Sequence, residues 1–154
     1  MRYDIAINKI IRDMLFLKKI EILGGTQVRF FCYNEFACKV ISKILEENKK
    51  RTFNKVFNIG NFNTNIVQLT KTILKLTKYK KANVYHETHT IDKRSYKVSP
   101  RSAKKFLKKK INLKKLTKKS ILETFSQIKK DKTPFAKNKV TLNIYKEFLK
   151  KNQI

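Results

Sequence analysis

The sequence predicts an α/β fold, α+β-like in detail, in which a few short strands alternate with helices inside one unit. Three observations predict it. Apolar residues return at three- and four-residue spacing in several separate segments. Between them lie short runs rich in β-branched and aromatic residues, bounded by Gly, Asn and Thr. The 154 residues are enough for one domain with a substantial core, since a chain of about 150 residues hides roughly two thirds of its unfolded surface.

The first helix is predicted over 4–18, where Ile7, Ile10, Ile11, Met14 and Leu17 share a face. Ile20 to Leu23 reads as a strand ending at Gly24-Gly25, and Gln27 to Tyr33 as a second. Phe36, Val40, Ile41, Ile44 and Leu45 restore the helical period over 34–48. Val56 to Ile59 reads as a strand, followed by Gly60 and an Asn/Thr-rich turn in which Asn63 or Asn65 caps the next helix. That helix carries Ile66, Leu69, Ile73, Leu74 and Leu76 on its apolar face. Val84 to Glu87 reads as a strand, and Ser99-Pro100 as a helix start, because serine accepts orphan amides and proline at the first helical position loses no hydrogen bond. Thr117 or Ser120 opens another helix through Ile128, and Val140 to Lys150 forms a terminal one.

Charge is the strongest compositional feature: 38 Lys and Arg against 11 Asp and Glu give a formal net charge of +27. With 41% hydrophobic residues the chain is nevertheless too apolar for a disordered polycation. The basic residues are almost all lysine, with arginine at 2, 12, 29, 51, 94 and 101, and they fall on nearly every segment beside abundant Asn and Ile. Genomic base composition explains that spread as simply as selection for nucleic acid does. The densest run, Arg101 to Lys119, contains no acid but includes Phe106, Leu107, Ile111, Leu113 and Leu116, as a core-packed helix would. Weak nonspecific adhesion to polyanions is expected on either reading. No apolar run approaches the ~18–20 residues of a membrane span. Asn8, Lys9, Arg12 and Asp13 interrupt the N-terminal segment as no secretory leader is interrupted, so a cytoplasmic chain without a membrane partner is expected.

Catalytic and ligand motifs are sparse. His86 and His89 form H-x-x-H, one residue short of the spacing that puts two ligands on one helix face, and no third ligand is suggested; a solvated loop is expected and no metal. Cys32 and Cys38 lack C-x-x-C spacing and read as reduced, buried small hydrophobes. Three glycines supply neither G-x-G-x-x-G nor a phosphate loop. Arg29, inside a strand-like run, and Arg94, in a polar segment, are the candidate binding residues: an inward arginine needs an anionic partner, and two could converge on a diphosphate.

The ordered segments RYDIAINK, KIEILGGTQVRFF, the Glu35-Phe36-Ala37 helix, KVFNIGN, DKRSYKVS and LTKKSILETFSQIKK together resemble the C-terminal half of extended short-chain dehydrogenase/reductases. These are the NAD-dependent nucleotide-sugar epimerases and dehydratases. The resemblance runs from Arg2 to about Lys129, and the tail with Asp131 and Asn143-Ile144-Tyr145 is similar to the end of some bacterial members. It implies that Arg29, in G-x-Q-x-R, and Arg94, near D-x-R-x-Y, bind the nucleotide diphosphate, with Asn58 as a further substrate-side contact. Phe30 stands where the family usually has proline, and Cys32-Tyr33-Asn34-Glu35 replaces a common His-Val-x-Asp.

In that family the Gly-rich cofactor loop and the Tyr-x-x-x-Lys pair, whose tyrosinate takes a sugar hydroxyl proton as hydride passes to NAD, belong to the N-terminal half. None of the six tyrosines here has lysine four residues later. The expectation is one substrate-binding-type domain over 1–154, with the dinucleotide-binding half absent, no catalytic residues, no cofactor bound by this chain alone, and NAD(P) implied for the complete enzyme. It would act as a fragment or split subunit that binds a nucleotide-diphosphate sugar beside a separate Rossmann-domain chain or within a homo-oligomer. A basic nucleic-acid-binding module and a gene relic are the competing readings.

Overall fold

The computed structural model describes residues 1–87, 94–107 and 112–151. Two two-stranded sheets and the helices between them form its frame. Helix α1 (Ala6–Arg12) runs into a π-helical stretch, Asp13–Leu17, which ends at Lys18 in the left-handed conformation. Strand β1 (Lys19–Leu23) turns Ile20 and Ile22 inward. β2 (Val28–Phe31), α2 (Asn34–Glu46), the short α3 (Lys49–Thr52), β3 (Phe62–Asn65), α4 (Ile66–Thr77) and β4 (Asn83–Glu87) follow. The remainder holds α5 (Arg101–Phe106), α6 (Leu113–Lys129), a 3-10 turn at Lys137–Lys139 and α7 (Thr141–Lys151).

β1 and β4 are parallel, with Lys19 opposite Asn83 and Leu23 opposite Glu87. β2 and β3 are antiparallel, from Val28 opposite Asn65 to Phe31 opposite Phe62. The main core gathers Ile11 and Met14 from the first helical segment, Ile20 and Ile22 from β1, Leu69 and Ile73 from α4, and Ile121 and Ile128 from α6. Each contributes roughly 1.5–3 kcal/mol by leaving water. A smaller cluster, Phe36, Val40 and Ala103, ties α2 to α5, with the Phe57 and Phe106 rings 4.9 Å apart beside it.

The periodic helices form where the apolar pattern places them, and four details differ from the sequence reading. Val56 to Ile59 joins no strand ladder, and Val56 is 82% exposed. An extended segment becomes a strand only when another edge takes its amide groups, and the described residues offer this one none. Phe62–Asn65, read as a turn, instead pairs with β2; that ladder outweighs the poor strand propensity of asparagine. Pro100 occupies the cap position before α5 and Ser99 supplies no side-chain cap bond. α6 begins four residues before Thr117, at Leu113, because the Asn112 side chain accepts from the Lys115 amide at 3.0 Å. Asn65 is the cap of α4, accepting from the Gln68 amide at 2.8 Å.

Candidate functional site

β1 and β2 are joined through Gly24 and Gly25, both at positive φ. At Gly25 a side chain would also meet Ile22 and Val67 at 2.7 Å, so only glycine fits this turn. The turn delivers Gln27 and Arg29 two residues apart along one extended segment, on the same face of it. Both line an open cleft of about 1150 Å³ bounded by α1, β1, β2, β3 and the middle of α6.

Arg29 is half-buried on this wall. Its guanidinium donates to the Val28 carbonyl at 3.0 Å and to the main-chain carbonyl of Arg94, and its carbon lies 5.3 Å from the Tyr96 ring centre. A planar cation stacked on an aromatic ring and fixed by carbonyls keeps its fork geometry at low entropic cost. Ser95 Oγ accepts from the Val28 amide at 3.0 Å, and the Tyr96 amide donates to the Val28 carbonyl at 3.2 Å, so 94–96 is strapped along β2. Arg94 is exposed and lies outside the cleft lining. The two arginines therefore meet through the Arg94 main chain.

Gln27 donates its amide nitrogen to the Leu23 carbonyl at 3.1 Å, while its side-chain oxygen is buried without a partner among the described residues. A buried acceptor left unpaired costs about 1–3 kcal/mol and is a place where a ligand donor gains full value. Asn61 is similar: it is buried, its oxygen accepts from the Tyr33 amide at 2.8 Å, and its side-chain nitrogen has no partner among the described residues. Asn58 is exposed and does not line the cleft.

At the far end of the cleft, Tyr33 shares its hydroxyl proton between Glu35, at 3.0 Å, and Glu123. Glu35 also accepts from Lys119 at 2.7 Å and Lys39 at 2.5 Å. Those bonds, Lys119 first, hold its carboxyl down at about 2, while the carboxylates around Tyr33 push its phenol well above the usual range.

Sequence reasoning singled out Arg29 and Arg94 but missed Gln27, Asn61 and Tyr96. Gln27 was within reach, because period two links it to Arg29. Both cysteines are free and exposed, correcting the expectation of burial: Cys32 follows β2 at a cleft edge and Cys38 lies on an outer position of α2. His86 is exposed on β4, and His89 lies outside the described residues. Among the described residues neither Gly25 nor Gly60 sits in a phosphate-cradling turn. A side chain at Gly25 would meet Ile22 and Val67, and one at Gly60 the Phe30 ring, so both glycines pack against protein rather than cradle phosphates.

No protein-family model matches the chain, and no curated protein sequence matches it. Solved structures do. A UDP-glucuronic acid 4-epimerase from Bacillus cereus, in complex with UDP-glucuronic acid and NAD, superposes with a TM-score of 0.65 at 24% identity, covering 84% of this chain and 41% of the epimerase. RMD from Pseudomonas aeruginosa, complexed with NADPH, gives 0.63 at 13% identity, with coverages of 84% and 44%. PbgP3 from Burkholderia pseudomallei gives 0.59 at 17%, with 80% and 40%.

The fold is that of part of these solved structures, the UDP-glucuronic acid 4-epimerase and RMD among them. The chain spans about two fifths of the length of these structures, and the resemblance read in the sequence holds at the level of fold. Among the described residues no helix is long and apolar enough to cross a membrane.

Proposed function

We propose that this chain supplies the substrate-side wall of a nucleotide-sugar epimerase or dehydratase and binds the diphosphate of a nucleotide-diphosphate sugar through Arg29, with Arg94 as the second cation. The observation that carries the reading is the guanidinium of Arg29, stacked on Tyr96 and tethered to the Arg94 carbonyl at the edge of a cleft large enough for a nucleotide sugar. Gln27 supports it: its side-chain oxygen has no partner among the described residues and would accept a hydrogen bond from a ribose or sugar hydroxyl. In the same reading the hydride-transfer groups come from a dinucleotide-binding part outside these 154 residues, so the chain alone turns nothing over, in the cytoplasm or in a tube. Met1, Ile5 and Leu23 border the cleft and stay about half exposed, which suits an apolar partner face.

The test is calorimetric titration of the chain with UDP-glucuronic acid and, separately, with UMP. Saturable binding of the diphosphate sugar, with the monophosphate at least about tenfold weaker, is expected, since a charge-assisted contact to the lost phosphate is worth about 1.5–3 kcal/mol. Equal affinities would remove the diphosphate from the reading.

A further inference from the structure

On another part of the surface the ends of three elements come together. Lys18 ends the π-helical stretch and Lys78 ends α4, both left-handed, and Lys129 is the last residue of α6. With Lys80 and Lys81 from the loop leading to β4, they rim a second open cleft of about 540 Å³, floored by Leu15, Phe16 and Tyr79. It shares no residue with the Arg29 cleft.

Lysine is common enough here that its mere presence decides nothing; its surroundings do. Lys9, Lys39, Lys119 and Lys139 each pair with an Asp or Glu within 4 Å. Among the described residues no carboxylate lines this cleft, and none of its five ammonium groups is in an ion pair. A lysine at a helix C-terminus offsets the partial negative charge there, which accounts for Lys18, Lys78 and Lys129 singly. It leaves Lys80 and Lys81 unexplained, and the whole set strongly cationic.

We infer that this cleft binds single-stranded nucleic acid, with the lysine rim on successive phosphates and an unpaired base on the Phe16–Tyr79 floor. A cationic rim alone would suit any polyanion. The aromatic floor favours unpaired bases, because a duplex keeps its base faces inside the stack and an acidic peptide has none to offer. Phe16 already lies edge-on to Phe135, with centroids 6.2 Å apart, so its ring is held in place before a base arrives. The inference does not depend on the nucleotide-sugar reading.

The test is fluorescence anisotropy with a short labelled oligothymidylate over a range of salt. The combined variant Lys80→Gln/Lys81→Gln/Lys129→Gln alters exposed residues that form no ion pair among the described residues, so the fold is retained. It is compared with Lys104→Gln/Lys105→Gln/Lys118→Gln, an equal charge loss at exposed positions of the densest basic run. The cleft variant should bind at least about tenfold more weakly and lower the slope of log K against log salt by about two, at ~0.7 per phosphate contact, while the control changes less than about threefold. Tyr79 also packs against the main core, so Tyr79→Leu, which keeps the apolar bulk and removes the aromatic face, should weaken oligothymidylate binding without altering the salt slope. Equal losses in the two triple variants would overturn the site in favour of nonspecific adhesion. Displacement by polyglutamate as readily as by unlabelled oligothymidylate would overturn the nucleic-acid assignment.

Discussion

The guanidinium of Arg29 donates to the main-chain carbonyl of Arg94, 65 residues further along the chain. This contact, with Tyr96 stacked beside it, fixes the strap 94–96 along β2 and sets the cation at the mouth of the larger cleft. Arg29 is thus both a tether within the fold and the wall of the candidate site.

Phe30, on the opposite face of the same strand, lays its ring over Gly60, and a methyl group at position 60 would overlap it. Gly60→Ala should cost about 1–3 kcal/mol, the range for overpacking. Phe30→Leu in that background should recover part of the loss, giving a coupling above about 0.5 kcal/mol in a urea-denaturation double-mutant cycle.

Glu35 holds α2 to α6 through Lys119 and keeps Lys39 and Tyr33 in place. Its folded carboxyl is lowered to about 2 from an ordinary 4.5, so the stabilisation is complete above 4.5 and disappears as pH falls toward 2. Melting curves should find Glu35→Gln less stable than wild type at neutral pH, with the two converging between pH 4.5 and 2. A constant gap across that window would show that the ionised form contributes nothing.

Tyr3 is buried and donates to Asp131 at 2.5 Å, joining positions 128 residues apart, while Lys139 holds the same carboxylate at 2.6 Å. Removing one hydroxyl in Tyr3→Phe should lower unfolding free energy by about 1.5–3 kcal/mol, as for a hydrogen bond to a charged group. Chemical denaturation reads this directly, and a loss below about 0.5 kcal/mol would mark the contact as solvent-compensated.

The helices were legible because Leu69 and Ile73, or Ile121 and Ile128, must share a face whatever their partners. Strands were legible only in part, because a strand depends on its neighbour. Asn63 and Asn65 carry no strand signal and outweigh the single β-branched Thr64 between them, yet the segment becomes β3 through pairing with β2. Val56 to Ile59 has the signal but no ladder among the described residues. Arg29 was visible as a charge inside an apolar run. Nothing local could reveal that Gln27 would lose a partner on folding, or that Lys18, Lys78 and Lys129 would share one cleft. Those facts arise from packing between distant segments.

The measurement that bears most directly on the central claim is the affinity of UDP-glucuronic acid for the wild-type chain and for Arg29→Ala and Arg94→Ala, under identical salt. The account predicts saturable wild-type binding, a loss of about 1.5–3 kcal/mol in Arg29→Ala, about ten- to a hundredfold in Kd, and a smaller loss in Arg94→Ala, whose side chain is exposed and lies outside the cleft lining. Superimposable titrations for wild type and both variants, or no saturable binding by the wild-type chain, would contradict it.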